Sequence, residues 1–128
     1  MDRKVLIAED NPGLARVLSF KFKSAKFTPI TCQNGREAWE QFQEQNVLAV
    51  ISDQEMPEMT GIELCQNIRG IDKEVPLFLV TGRQIELSSN DSLNELDITQ
   101  IFGKPFSPGK VVAAVEATIS KNASHEVS

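Results

Sequence analysis

The sequence is short of the residues that several common functions need. Among 128 residues there is no tyrosine, one tryptophan, one histidine (His125) and two cysteines, Cys32 and Cys65. The cysteines form no CxxC pair and lie far from the histidine, which leaves no zinc-ligand spacing. They read as reduced thiols, buried or half-buried, in a cytoplasmic protein. No apolar run approaches the ~20 residues needed to cross a bilayer, so no membrane span is expected. The short apolar stretch in "MDRKVLIAED" ends in acid and carries no export signal. Nor is there a basic excess. With 13 Lys and Arg against 18 Asp and Glu, the net charge is -5, which argues against direct nucleic-acid binding. Low-complexity blocks and residue-level repeats are missing too. One domain over 1–121 is expected, followed by a polar, disordered tail over 122–128.

What the chain does have is a pattern. Short apolar runs alternate with amphipathic stretches. The runs are Val5–Ala8, Phe27–Thr31, Val47–Ile51, Leu77–Val80 and Ile98–Phe102. Several are apolar at consecutive positions, as strands covered on both faces are. Between them, Leu14, Val17, Leu18, Phe22 and Ala25 share one helical face, and Asn11-Pro12 starts that helix. A second helix runs from about Gly35 to Gln45 with Ala38, Trp39 and Phe42 inward. A third begins near Gly61, turns Ile62, Cys65 and Ile68 or Arg69 inward, and ends at Gly70. The fourth, "RQIELSSNDSLNEL", is rich in poor helix formers, so a short or frayed element is expected. The last follows Ser107-Pro108. Alternation of this kind predicts an α/β fold, a doubly wound five-stranded parallel sheet with five helices. Its ligand site belongs at the carboxyl ends of the strands.

Five polar residues fall at those ends. Glu9 and Asp10 follow the first strand, Asp53 the third, Thr81 the fourth and Lys104 the fifth. Each alone has a plain structural reading: Asp10 as a helix cap, Asp53 as a turn former, Thr81 as a strand end, Lys104 as a solvated charge. Structural accidents would scatter over both ends of the sheet. Three gathered carboxylates repel, and a hard divalent cation with oxygen ligands offsets that repulsion. With a lysine and a hydroxyl added, the set suits a multiply charged oxyanion.

The segments "VLIAEDNPGL", "VISDQEMPEMTGIEL", "LVTG" and "FGKPF" resemble the four signature segments of response-regulator receiver domains, the phosphoryl-accepting modules of two-component signalling. The resemblance covers about residues 4 to 120 and is nearest the single-domain, chemotaxis-regulator-like form. It implies a flavodoxin-like three-layer sandwich with strand order 2-1-3-4-5. It implies that Asp53 is the phosphoacceptor, with Lys104 and Thr81 contacting the phosphoryl group. Mg²⁺ (or Mn²⁺) would be held by Asp10, Asp53, the main-chain carbonyl of Glu55 and, through water, Glu9. Glu55 and Arg83 would line the mouth and modulate phosphate lifetime, and an ion pair between them is expected. Phe20, opposite the apolar stripe of the first helix, would dock the partner. That partner would be a sensor histidine kinase or histidine phosphotransfer protein, with a further protein target downstream. The Lys104-Pro105 bond is expected to be cis.

One position departs from the family. The switch residue, Tyr or Phe three residues before the lysine, is here Ile101, and Phe102 has the opposite strand parity. This puts the coupling of Thr81 to output in question, and leaves phosphorylation untouched. The chain is read as a switch that catalyses only its own phosphorylation and dephosphorylation. The alternatives are a haloacid-dehalogenase-like phosphatase and a receiver-like module that binds without phosphorylation. The phosphatase needs a second Asp where Glu55 stands. A flavodoxin-like redox protein is disfavoured, since no Ser/Thr/Gly-rich phosphate loop follows the first strand.

Overall fold

The computed structural model describes residues 3–83 and 92–127. Its strands are β1 (Lys4–Ala8), β2 (Thr28–Cys32), β3 (Ala49–Asp53), β4 (Leu77–Thr81) and β5 (Gln100–Gly103). They form one parallel sheet in the order β2-β1-β3-β4-β5. The helices are α1 (Pro12–Ser24), α2 (Gly35–Glu44), α3 (Gly61–Arg69), α4 (Ser92–Leu96) and α5 (Pro108–Val127). Successive strands step outward from β1 in opposite directions, so the switch in strand order lies between β1 and β3.

Strand parity sorts the core into two layers. Val5, Ile7, Ala49, Ile51, Phe78 and Val80 face α1 and α5, where they meet Leu18, Phe22, Val111 and Val115. Leu6, Ala8, Val50, Leu77 and Leu79 face α2, α3 and α4, where they meet Phe42, Leu64, Ile68, Leu93 and Leu96. Every residue of β3 and β4 is buried, which is why these strands read as near-unbroken apolar runs. Each fully buried aliphatic side chain contributes about 1.5–3 kcal/mol. The two layers therefore carry the fold, and leave its carboxyl edge free to hold charge.

The helix starts are set locally. Asn11 Oδ1 accepts the Leu14 N–H at 3.0 Å, with Pro12 opening α1. Asn34 caps α2 through the Glu37 N–H at 2.8 Å. Thr60 and Glu63 exchange side-chain and backbone hydrogen bonds at the start of α3, which satisfies two orphan donors reciprocally. The Ser107 hydroxyl accepts the Lys110 N–H at 3.4 Å at the start of α5.

Several expectations shift. Leu18 and Phe22 are the buried residues of α1, whereas Val17 is 45% exposed. The line through Leu14, Leu18 and Phe22 is narrower than the predicted stripe and leaves Val17 on its flank. In α3, Leu64, Cys65, Ile68 and Arg69 are all buried and Ile62 is half-buried. Arg69 can be buried because backbone carbonyls receive its guanidinium. Its Nε donates to Leu96 O at 2.6 Å, Nη1 to Asp72 O at 3.1 Å and Nη2 to Asp97 O at 3.1 Å. The fourth helix is the single turn α4; most of its expected span, 84–91, lies outside the described residues. α5 continues through 122–127, where a disordered tail was expected. Once the packed turns around Val111, Val112 and Val115 have formed, adding residues to a helix costs little. No helix among the described residues is long and apolar enough to cross a membrane.

Candidate functional site

The sheet ladder runs one step past the strands and aims the polar residues. The Glu9 N–H donates to Cys32 O at 3.0 Å, Gln54 N–H to Val80 O at 2.9 Å and Lys104 N–H to Thr81 O at 2.8 Å. Glu9, Asp10, Asp53, Thr81 and Lys104 therefore share one edge, as their places in the sequence predict. Carboxylate oxygens of Glu9, Asp10 and Asp53 lie within 4.8 Å of one another. Asp53 is only 2% exposed, and Lys104 Nζ stands 2.9 Å from its Oδ1. Among the described residues no well-aligned hydrogen bond reaches that buried oxygen, so the ion pair with Lys104 is what offsets its charge.

The electrostatics are unbalanced. Burial raises the Asp53 pKa above the ordinary carboxylate value; Lys104 opposes the rise, while Glu55 and Asp10 add to it. Glu9 is pushed up to about 7, mainly by burial, although the Asn11 N–H donates to its Oε2 at 3.1 Å. Burial pulls Lys104 down, but its attraction to Asp53, Glu9 and Glu55 outweighs that and leaves it raised. The edge thus holds more negative charge than one lysine neutralises. An all-oxygen donor set with surplus negative charge fits a hard divalent cation and has no soft ligand to favour zinc.

The loop after Asp53 is seated from below. A Cβ on Gly61 would stand 2.6 Å from Asp53 O and 2.9 Å from Leu79 Cδ2. Only glycine lets α3 begin this close to the strand end. The Gly61 N–H returns to Gln54 O at 3.1 Å, and the buried Gln54 side chain takes the Ile62 N–H at 2.7 Å. A Cβ on Gly35 would overlap the Met59 carbonyl, so α2 also abuts this loop. Arg36, one residue on, pairs with Glu58, whose φ is 68°. On the other side a cleft of about 460 Å³, lined in part by Glu9, Asp10, Arg16, Thr31 and Gln33, opens the edge to solvent. The Lys104-Pro105 bond is cis, as expected.

Glu55, one of the two residues expected at the mouth, contacts Thr81 and the backbone after it. The Thr81 hydroxyl donates to Glu55 Oε2 at 2.8 Å, and the Gly82 N–H approaches Glu55 Oε1 at 3.4 Å. Glu55 thus reaches across the mouth to Thr81. The Arg83 N–H donates to Thr81 Oγ1 at 3.0 Å. Ile101 packs half-buried on the α2–α3–α4 side, while Phe102 faces the α1–α5 side and stacks on Phe78 at 6.4 Å. Phe20 is 65% exposed on α1, three residues from exposed Val17. Sequence reasoning missed Gln54 and Arg69. Arg69 carried one signal, its place on the inward face of α3; Gln54 carried none.

Fold and site together define a class: a doubly wound α/β domain whose strand ends gather three carboxylates, a threonine and a lysine. The sequence profile of the response regulator receiver domain matches residues 5–116, and the chain belongs to that family. It is 26% identical over 122 residues to the alkaline phosphatase synthesis transcriptional regulatory protein PhoP of Bacillus subtilis, covering 95% of this chain and 50% of PhoP. It is 29% identical over 127 residues to the transcriptional regulatory protein SrrA of Staphylococcus aureus, covering 99% of this chain and 52% of SrrA. The chain thus spans about half the length of these relatives. Among solved structures it resembles the response regulator protein TrrA of Thermotoga maritima in complex with Mg(2+)-BeF. There the TM-score is 0.79 and the identity 25%, covering 90% of this chain and 97% of that one.

Proposed function

We propose that this receiver domain is a phosphoryl-accepting switch in which Asp53 is the acceptor. The observation that carries the reading is the buried Asp53 carboxylate at the strand-order switch, flanked by Glu9, Asp10 and Lys104. An Asp53 oxygen attacks the phosphorus of a phosphohistidine on a partner. A P–O bond forms as the P–N bond breaks, and the leaving imidazole is protonated. Lys104 and the Thr81 hydroxyl then hold the phosphoryl oxygens. Asp10, Asp53, the main-chain carbonyl of Glu55 and, through water, Glu9 would hold Mg²⁺ (or Mn²⁺). The ion supplies positive charge that lets carboxylate and phosphoryl oxygens approach. Catalysis is confined to the domain's own phosphorylation and dephosphorylation.

The donor in this reading is a sensor histidine kinase or a histidine phosphotransfer protein, docking on the exposed pair Val17 and Phe20 of α1. A further protein reads the switched state, and nothing in the acidic composition supports direct nucleic-acid binding. The two free buried thiols support a reducing, cytoplasmic setting. Acetyl phosphate or beryllofluoride with Mg²⁺ tests the reading. Wild type should take up one equivalent and change its amide NMR spectrum; Asp53→Asn should do neither. An Asp53-independent response would overturn it, and so would sustained turnover of a small phosphate ester. With a phosphohistidine donor, Phe20→Ala should slow transfer; an unchanged rate removes the docking patch.

A further inference from the structure

Thr81 has one hydroxyl proton, and Glu55 holds it. Thr81 Oγ1 donates to Glu55 Oε2 at 2.8 Å while accepting the Arg83 N–H at 3.0 Å. A hydroxyl is a single donor with two acceptor lone pairs, so its only donor is already committed. The acceptor is a carboxylate, which makes the bond stronger than a neutral one. Thr81 is 0% exposed, which leaves solvent little access to replace Glu55 as its partner. The Gly82 N–H, 3.4 Å from Glu55 Oε1, ties the same carboxylate to the backbone beyond β4.

We infer that Glu55 is a positioning residue that competes with the phosphoryl group for the Thr81 hydroxyl, and so sets how readily the domain switches. The inference rests on the reading of Asp53 as phosphoacceptor. A phosphoryl group on Asp53 gains the Thr81 proton only when the bond to Glu55 breaks. The strength of that bond is therefore subtracted from the differential affinity that drives the switch. Without the Glu55 carboxylate, the hydroxyl is free to turn at lower phosphoryl occupancy. Charge repulsion between Glu55 and the phosphoryl group would also oppose binding, but it would act whether or not Thr81 has a hydroxyl. A double-mutant cycle separates the two.

Beryllofluoride titrations in Mg²⁺ are compared for wild type, Glu55→Ala, Thr81→Val and the double variant. Glu55→Ala should bind about tenfold tighter than wild type, the scale of one hydrogen bond to a charged group. With Val in place of Thr81, the same Glu55→Ala change should matter less than about twofold. In the unliganded protein, Glu55→Ala should move the Thr81 methyl and Gly82 amide resonances toward their beryllofluoride-bound wild-type positions. Equal tightening in both backgrounds would assign Glu55 to charge alone and overturn the inference, as would no tightening in either. Wild type that shows no Asp53-dependent binding at all would overturn this inference together with the reading beneath it.

Discussion

Asp53 and Arg69 are both buried charges, and the fold treats them in opposite ways. Arg69, at the end of α3, spreads its guanidinium over the carbonyls of Leu96, Asp72 and Asp97. Leu96 and Asp97 lie at the C-terminus of α4 and Asp72 in the turn after α3, where carbonyls left over by a helix end attract a cation. Asp53 meets one partly exposed lysine, with Glu9, Asp10 and Glu55 adding like charge. A charge satisfied on all sides has no chemistry left to offer and serves as a fastener. One left under-compensated waits for a ligand. Burial alone therefore does not mark a functional residue; the incomplete shell does.

Three measurements would break or sharpen this contrast. Arg69→Ala should cost the most, about 3 kcal/mol, because it leaves buried carbonyls unmet. Urea unfolding gives the value; a loss under about 1 kcal/mol would mean that water replaces the guanidinium and that Arg69 is no fastener. The second concerns the unmet charge. Glu9 is raised from 4.5 to about 7, so the folded protein binds a proton that the unfolded chain releases between those values. Metal-free stability should therefore fall as pH rises through that window, and level off above about 7. If the proposed divalent cation takes the deprotonated edge, excess Mg²⁺ should add about 1–2 kcal/mol more at pH 8 than at pH 5.5. Thermal melts at the two pH values check this, and an equal gain at both would show the edge already compensated. The smallest effect belongs to Arg36, whose partners Glu40 and Glu58 are half in solvent. Arg36→Ala should leave the urea midpoint unchanged.

How much the sequence revealed follows from range. β3 and β4 were legible because each residue is buried, and the acids because they sit at the ends of such runs. Asn11-Pro12 was legible because a cap acts within one turn. The Glu55–Thr81 bond was not, since it joins residues 26 positions apart whose facing is set by the β3–β4 register. Spacing offers Ile68 or Arg69 to the inward face of α3 without choosing, and two of Arg69's partners, Leu96 and Asp97, lie beyond β4. Val17 was misplaced because helical spacing fixes relative angle and leaves the width of the covered stripe to packing.

Cys32 and Cys65 give the molecule two internal gauges of its own opening. Burial pushes their thiols up to about 11 and about 12, so almost none is thiolate at neutral pH. Alkylation then requires the surrounding packing to part, and its rate reports the free energy of that local opening. Cys32 lines the cleft beside Glu9 and Asp10, whereas Cys65 lies one helical turn from Arg69. One thiol senses loosening beside the reactive edge, the other loosening at the fastened corner. The two labelling rates would read the two regions separately in a single sample.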